Sequence, residues 1–242
     1  MSSRGRSGGG KSSGRTTGRQ TTVRVRTAKS RSNSSARWLQ RQLNDPYVAE
    51  AQKRGYRSRA AFKLLQLDEK FHFFKKGMRV VDLGAAPGGW IQVALERIGK
   101  EGRVVGIDLL PVDPVPGSQI IVGDFLDTDA PQRLVDLLGG PANAVLSDMA
   151  ASSTGHANTD HLRIMTLAEV ALDFAEDVLA PDGFFLCKVL QGGSEKELLD
   201  RLRKSFAKVR HVKPPASRSD SAELYVLATG FRGKPTTSGS EG

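Results

Sequence analysis

The stretch Val80-Val81-Asp82-Leu83-Gly84-Ala85-Ala86-Pro87-Gly88-Gly89-Trp90 limits the possible folds more than any other part of the chain. An apolar run (Val80, Val81, Leu83) gives way to small residues. Gly88-Gly89 then opens a helical pattern carried by Trp90, Ile91, Val93, Ala94, Leu95 and Ile98. A buried parallel strand feeding a glycine-rich turn and a helix N-terminus is how α/β sheets hold nucleotide-like ligands. Glycine supplies the φ values such a turn needs and lets a ligand approach the backbone. Asp82 lies inside the apolar run, and a buried carboxylate there needs donors from the turn or a cationic ligand. The glycine spacing is not the dinucleotide G-x-G-x-x-G, and no Lys-Ser or Lys-Thr follows as in a P-loop. Taken alone, the turn also fits an ordinary strand-to-helix connection, so the residues downstream decide.

Downstream, strands and helices alternate. A helix is expected over 89–99, then a strand Arg103–Asp108, a strand Ile120–Val122, a helix from Pro131 to Leu138 and a strand Ala144–Leu146. The four strands of this half are each closely followed or ended by an aspartate: Asp82, Asp108, Asp124 and Asp148. The carboxyl ends of parallel strands form the ligand rim of an open α/β sheet. One such Asp is readily explained as a helix cap, whereas four in succession favour a site. Asp108 lies some 20 residues past the glycine turn, where a carboxylate takes ribose hydroxyls. A long helix to about Leu179, a strand Phe184–Leu190, a helix 194–205, a strand Phe206–Val212 and a strand Glu223–Ala228 complete the pattern. Pro181-Asp182-Gly183 is expected to be a turn.

Ahead of the glycine motif, a short helix is expected over Tyr47–Gly55, and Ser58 is expected to cap a helix from Arg59 to about Phe71. Its apolar face is Ala60, Leu64, Leu67 and Phe71. Lys63 falls one residue off that stripe, where a solvated lysine is the usual reading. Lys188 is different, because it sits within Phe184-Phe185-Leu186-Cys187-Lys188-Val189-Leu190. A lysine in such a run is costly unless paired, neutral or at an active cleft.

The 242 residues suffice for one substantial core. The single cysteine, Cys187, excludes an internal disulfide and a multi-cysteine metal site, and reads as a small buried hydrophobe. The four histidines (His72, His156, His161, His211) lack metal-ligand spacing, so no metal is assigned. No apolar run approaches a membrane span and no secretory h-region opens the chain, so a cytoplasmic protein is expected. The net charge of +10 is partitioned: residues 1–35 hold nine Lys/Arg and no acid, while residues 64–195 hold ten basic against nineteen acidic side chains. Residues 1–35, nearly free of apolar groups, are expected to be a disordered basic arm, residues 36–231 the folded domain, and residues 232–242 a flexible tail. Basic flanks around an acidic middle suit phosphate contacts beside a ligand rich in donors.

From Ser34 to Phe231 the chain resembles the FtsJ-type (RlmE-like) family of S-adenosylmethionine-dependent ribosomal-RNA 2′-O-methyltransferases. The resemblance rests on Arg37-Trp38-Leu39, Arg57-Ser58-Arg59-Ala60, the 80–90 motif, Asp108-Leu109-Leu110-Pro111, Gly123-Asp124-Phe125, Ser147-Asp148-Met149-Ala150, Lys188-Val189 and Glu223-Leu224-Tyr225, in order. It implies a single-domain α/β, Rossmann-like fold: a seven-stranded, mostly parallel sheet with helices on both faces and the last strand inserted antiparallel. It implies S-adenosylmethionine as cofactor, held by Gly88, Trp90, Asp108, Asp124 and Asp148. It also implies a catalytic tetrad Lys63, Asp148, Lys188 and Glu223. The implied substrate is a uridine of large-subunit ribosomal RNA, within an assembled or nearly assembled subunit, and the enzyme is expected to be a monomer without membrane association. One departure is visible: Ala151-Ser152 stands where many relatives have Pro-Asn.

The implied chemistry is in-line displacement by a ribose oxygen, whose proton a base removes as the bond forms. A lysine serves only when neutral, against a reference pKa of ~10.4; burial and a neighbouring cation both favour the neutral form. Lys188 is therefore the expected base, with Asp148 orienting it and Glu223 fixing Lys63 or the ribose. Two rivals belong to other classes. A non-catalytic RNA-binding assembly factor on the same fold is opposed by the intact tetrad, and a nicotinamide oxidoreductase by the glycine spacing. Within the class, transfer RNA or a messenger cap are the alternative substrates.

Overall fold

The computed structural model describes residues 39–40, 42–151, 154–192 and 196–233. The expected arm, 1–35, lies outside them, as do Ser152 and most of the expected tail. Contacts divide the chain after Asp45. In the first unit Leu39, Gln40, Gln42 and Leu43 are helical, and the Asn44 side chain donates to the Gln40 carbonyl at 2.7 Å.

Among the described residues, the unit from Pro46 onward forms a seven-stranded sheet with six helices. The strands are β1 (Arg79–Leu83), β2 (Arg103–Asp108), β3 (Ser118–Val122), β4 (Ala142–Ser147), β5 (Leu179–Leu190), β6 (Phe206–Val212) and β7 (Glu223–Phe231). The helices are α1 (Pro46–Arg54), α2 (Ala61–Phe71), α3 (Gly89–Ile98), α4 (Ala130–Leu138), α5 (Ala157–Val178) and α6 (Lys196–Ser205). The strand order is β3-β2-β1-β4-β5-β7-β6. Neighbours from β3 to β5 pair parallel, and β7 lies antiparallel to both β5 and β6. The expected architecture, including the inserted antiparallel strand, is what the chain adopts.

Alternation along the strands builds two cores. Val81, Leu83, Val105, Ile107 and Val145 pack with α4, α5 and α6. Val80, Val104, Ala144 and Leu146 face the other way, towards α1, α2 and α3. Burial on both faces is why these strands read as unbroken apolar runs. The strand order reverses at β1, which has β2 on one side and β4 on the other. Such a switch point opens a crevice at the strands' carboxyl ends. Among the described residues no helix is long and apolar enough to cross a membrane.

Two local expectations are corrected. Ser58 does not cap α2: the helix begins at Ala61, Ala60 holds the cap position without a side-chain bond, and the Ser58 hydroxyl is buried with no partner. Tertiary packing overrides the cap, since a Cβ on Gly89, the first residue of α3, would lie 2.7 Å from Ser58 Oγ. The expected turn at 181–183 is instead a bulge within β5. Ala142 pairs Leu179 and Ala144 pairs Phe184, so the intervening residues bulge out, with Asp182 at φ 65°.

Candidate active site

The crevice begins at the glycine turn. Gly84 has φ 82°, and a Cβ there would lie 2.9 Å from the Met149 backbone. Only glycine lets β1 and the β4 exit approach so closely. The Gly84 and Ala85 amides donate to the Ile107 carbonyl at 3.0 and 3.1 Å, tying the turn to β2. Asp108 continues the tie, its Oδ2 accepting from the Ala86 amide and its Oδ1 from the Leu110 amide, both at 2.8 Å. Asp124 Oδ1 accepts from the Leu126 amide at 3.0 Å. Gly84, Asp108, Leu109, Asp124, Phe125 and Met149 line a cleft that opens to solvent. Asp108 and Asp124 therefore meet there, as expected.

Beneath the cleft lies Asp82, fully buried, with neither carboxyl oxygen hydrogen-bonded. Burial pushes its carboxyl well above the usual range, and the Asp148 and Asp108 carboxylates push the same way. A buried acid without donors, close to two further carboxylates, suits a cationic ligand.

Beside the cleft, five segments bring six polar side chains together. Lys63, the third residue of α2, is 7 % exposed rather than solvated. Its Nζ donates to Glu223 Oε2 at 2.8 Å and to Tyr225 Oη at 3.0 Å, and lies 4.0 Å from Asp148 Oδ2. Spacing along α2 fails for Lys63 because its partners come from β7, 160 residues on. Lys188 Nζ on β5 donates to the Asp148 carbonyl at 2.7 Å and lies 3.1 Å from Asp148 Oδ1. Tyr225 Oη donates to the same Oδ1 at 2.8 Å. Ser217 Oγ donates to Glu223 Oε1 at 2.8 Å. Burial alone would raise the Asp148 carboxyl, but the Lys188 and Lys63 cations and the Tyr225 hydroxyl outweigh it and hold it below its ordinary value. Cys187, beside Lys188, is buried as expected, and burial pushes its thiol up to about 12.

The structure thus brings Lys63, Asp148, Lys188 and Glu223 into one network. It places the other two expected residues differently. The Trp90 indole is 4 % exposed; its N–H donates to the Ala60 carbonyl at 2.9 Å, and its ring lies 5.7 Å from that of Tyr225. Gly88 has φ 105° before α3, and a Cβ there would lie 3.0 Å from Arg57 Nη1. Neither lines the cleft among the described residues. Tyr225 and Ser217 were not expected. The period-two alternation of Glu223-Leu224-Tyr225 was the available signal for Tyr225, since it puts both polar groups on one strand face; Ser217, in a loop, left none.

Chemically, the network offers two amines and two carboxylates beside a cleft that suits a cation. A neutral Lys188 amine would have both hydrogens engaged by Asp148, leaving its lone pair unassigned among the described contacts.

The FtsJ-like methyltransferase family model matches residues 56–231. A ribosomal RNA large subunit methyltransferase E of Paramagnetospirillum magneticum is 65 % identical over 217 residues, spanning 88 % of this chain and 89 % of its own. The protein of the same name in Gluconobacter oxydans is 60 % identical over 221 residues, spanning 91 % and 82 %. The crystal structure of a ribosomal RNA methyltransferase from Plasmodium falciparum superposes with a TM-score of 0.66 at 31 % identity, covering 74 % of this chain and all of that one.

Proposed function

Because the chain belongs to the FtsJ-like methyltransferase family, we propose that it methylates the ribose 2′-hydroxyl of a uridine in large-subunit ribosomal RNA, using S-adenosylmethionine. The substrate assignment leans on relatives named as large-subunit ribosomal RNA methyltransferases, and the proposed context is an assembled or nearly assembled subunit. When bound, the cofactor supplies an electrophilic methyl group on a sulfonium. The residues present fit such a group. Asp108 and Asp124 line the cleft with carboxylates for hydroxyl and amino donors, and the unpartnered Asp82 lies below with Asp148 at its side.

The observation that carries the reading is the single network of Lys63, Asp148, Lys188 and Glu223 at the edge of that cleft. Lys188 accepts the proton of the attacking hydroxyl, Asp148 fixes the amine through two contacts, and Glu223 anchors Lys63. A preset array of this kind lowers the barrier by alignment. The test is a map of 2′-O-methyl sites on ribosomal RNA from cells with and without the protein. One large-subunit uridine should lose its methyl group; an unchanged map overturns the substrate assignment.

A further inference from the structure

We propose that Tyr225 is a positioning residue of the methyl-transfer centre, whose hydroxyl, held between Lys63 and Asp148, limits how tightly Asp148 holds Lys188. The inference rests on the reading of Lys188 as the base.

Tyr225 is fully buried, so its hydroxyl has only protein partners to choose from. Those partners fix its orientation. An ammonium group donates and cannot accept, so Lys63 must donate to Tyr225 Oη, across 3.0 Å. An ionised carboxylate only accepts, so the phenolic hydrogen points at Asp148 Oδ1, across 2.8 Å. Burial pushes the phenol well above its usual range, and the neighbouring Asp148 and Glu223 carboxylates add to that, as does Cys187. The hydroxyl therefore keeps its proton throughout the pH range in which an enzyme of this kind works, and the direction of the relay does not reverse.

Asp148 Oδ1 serves two donors, Tyr225 at 2.8 Å and Lys188 at 3.1 Å. A hydrogen bond to a carboxylate stabilises its charge and reduces what the oxygen offers to a second donor. Removing the hydroxyl leaves the carboxylate to Lys188 and the more distant Lys63, so Asp148 holds the Lys188 ammonium more strongly. The other ionisable groups packed around the cluster are Asp82 on β1, Lys63 on α2, Cys187 on β5 and Glu223 on β7. None of them replaces the donor that Tyr225 supplies to Oδ1 in the described contacts. The pairing of β5 with β7 makes the arrangement possible, since Lys188 and Tyr225 sit directly opposite each other.

The experiment is single-turnover methyl transfer from radiolabelled S-adenosylmethionine to purified large ribosomal subunits that lack the modification, measured across pH. Tyr225→Phe keeps the ring and its packing against Trp90. Its rate at neutral pH should fall roughly tenfold, and the midpoint of the rising limb should move to higher pH by about half to one unit. Cofactor affinity, read by calorimetry, should stay within about twofold of wild type. Incorporating 3-fluorotyrosine in place of Tyr225 strengthens the donor and should move the midpoint the opposite way. A midpoint unmoved in both variants overturns the proposal, whatever the rate, because a merely structural tyrosine changes amplitude and not pH dependence. Lys188→Met, run alongside, separates the two readings. If it is inactive while the tyrosine variants keep the wild-type midpoint, the inference about Tyr225 alone fails. If it stays active, the base assignment fails and takes this inference with it.

Discussion

Lys188 reaches Asp148 twice: its Nζ lies 2.7 Å from the backbone carbonyl and 3.1 Å from the side-chain Oδ1. Two acceptors on one residue fix the direction of the amine, as the role proposed for Lys188 requires.

Lys188→Met keeps the apolar stem and removes the amine. Asp148 retains the Tyr225 hydroxyl and Lys63, so the variant should fold with little change in melting temperature. Cofactor affinity should survive, and methyl transfer should drop by roughly 10²–10⁴, the span for losing a positioned base. A folded variant that binds S-adenosylmethionine and turns over at wild-type rate excludes Lys188 from that role.

Asp108→Ala removes a carboxylate that lines the cleft and also accepts from the Ala86 and Leu110 amides. Cofactor binding should weaken by about 1.5–3 kcal/mol, the usual cost of losing a charged acceptor. Melting should also fall, because the glycine turn loses its tie to β2. Calorimetry showing unchanged affinity refutes the assignment.

Asp82 and Asp148 act on stability with opposite signs. The Asp82 carboxyl is raised above its unfolded value of 3.8, so the native state keeps a proton that the unfolded chain loses. Stability therefore declines as pH rises above that value, until the native group ionises in turn. Asp148 is depressed, so its contribution is present above the unfolded value and lost as pH falls through the native one. Asp82→Asn should match wild type near pH ~4 and gain stability progressively towards neutrality. Urea unfolding at a series of pH values reads this directly, and a constant offset between the two proteins rules it out.

Deleting residues 1–33 removes all nine cations of the 1–35 segment. The slope of log affinity for RNA against log salt should flatten, with cofactor affinity unchanged. An identical slope leaves that segment no part in RNA binding.

The sheet was legible in the sequence because parallel strands buried on both faces announce themselves, and the aspartates ending them marked the rim. Asp108 and Asp124 could be read this way since Asp108 ends β2 and Asp124 lies two residues past the end of β3. Lys188 was legible as a charge in an apolar run. Lys63 was not: helical periodicity describes one helix against one neighbour, and Lys63 is buried by a strand 160 residues away. The Ser58 cap failed for the same reason, with Gly89 pressing on the hydroxyl that local rules would have used. Tyr225 entered the sequence reading only within the Glu223-Leu224-Tyr225 motif; alternation placed it on the face of Glu223, but its bridge from Lys63 to Asp148 needs partners brought by other elements.

The antiparallel insertion of β7 between β5 and β6 also bears on synthesis. The cleft draws on residues from Gly84 to Leu167, whereas Glu223 and Tyr225 arrive with the last of the described strands. Chains are made from the N-terminus and fold in that direction where they can. A nascent chain can therefore shape the cleft while still lacking Glu223 and Tyr225, which β7 carries. The last strand thus closes the network, since Glu223 and Tyr225 reach Lys63 and Asp148 only once β7 has paired with β5.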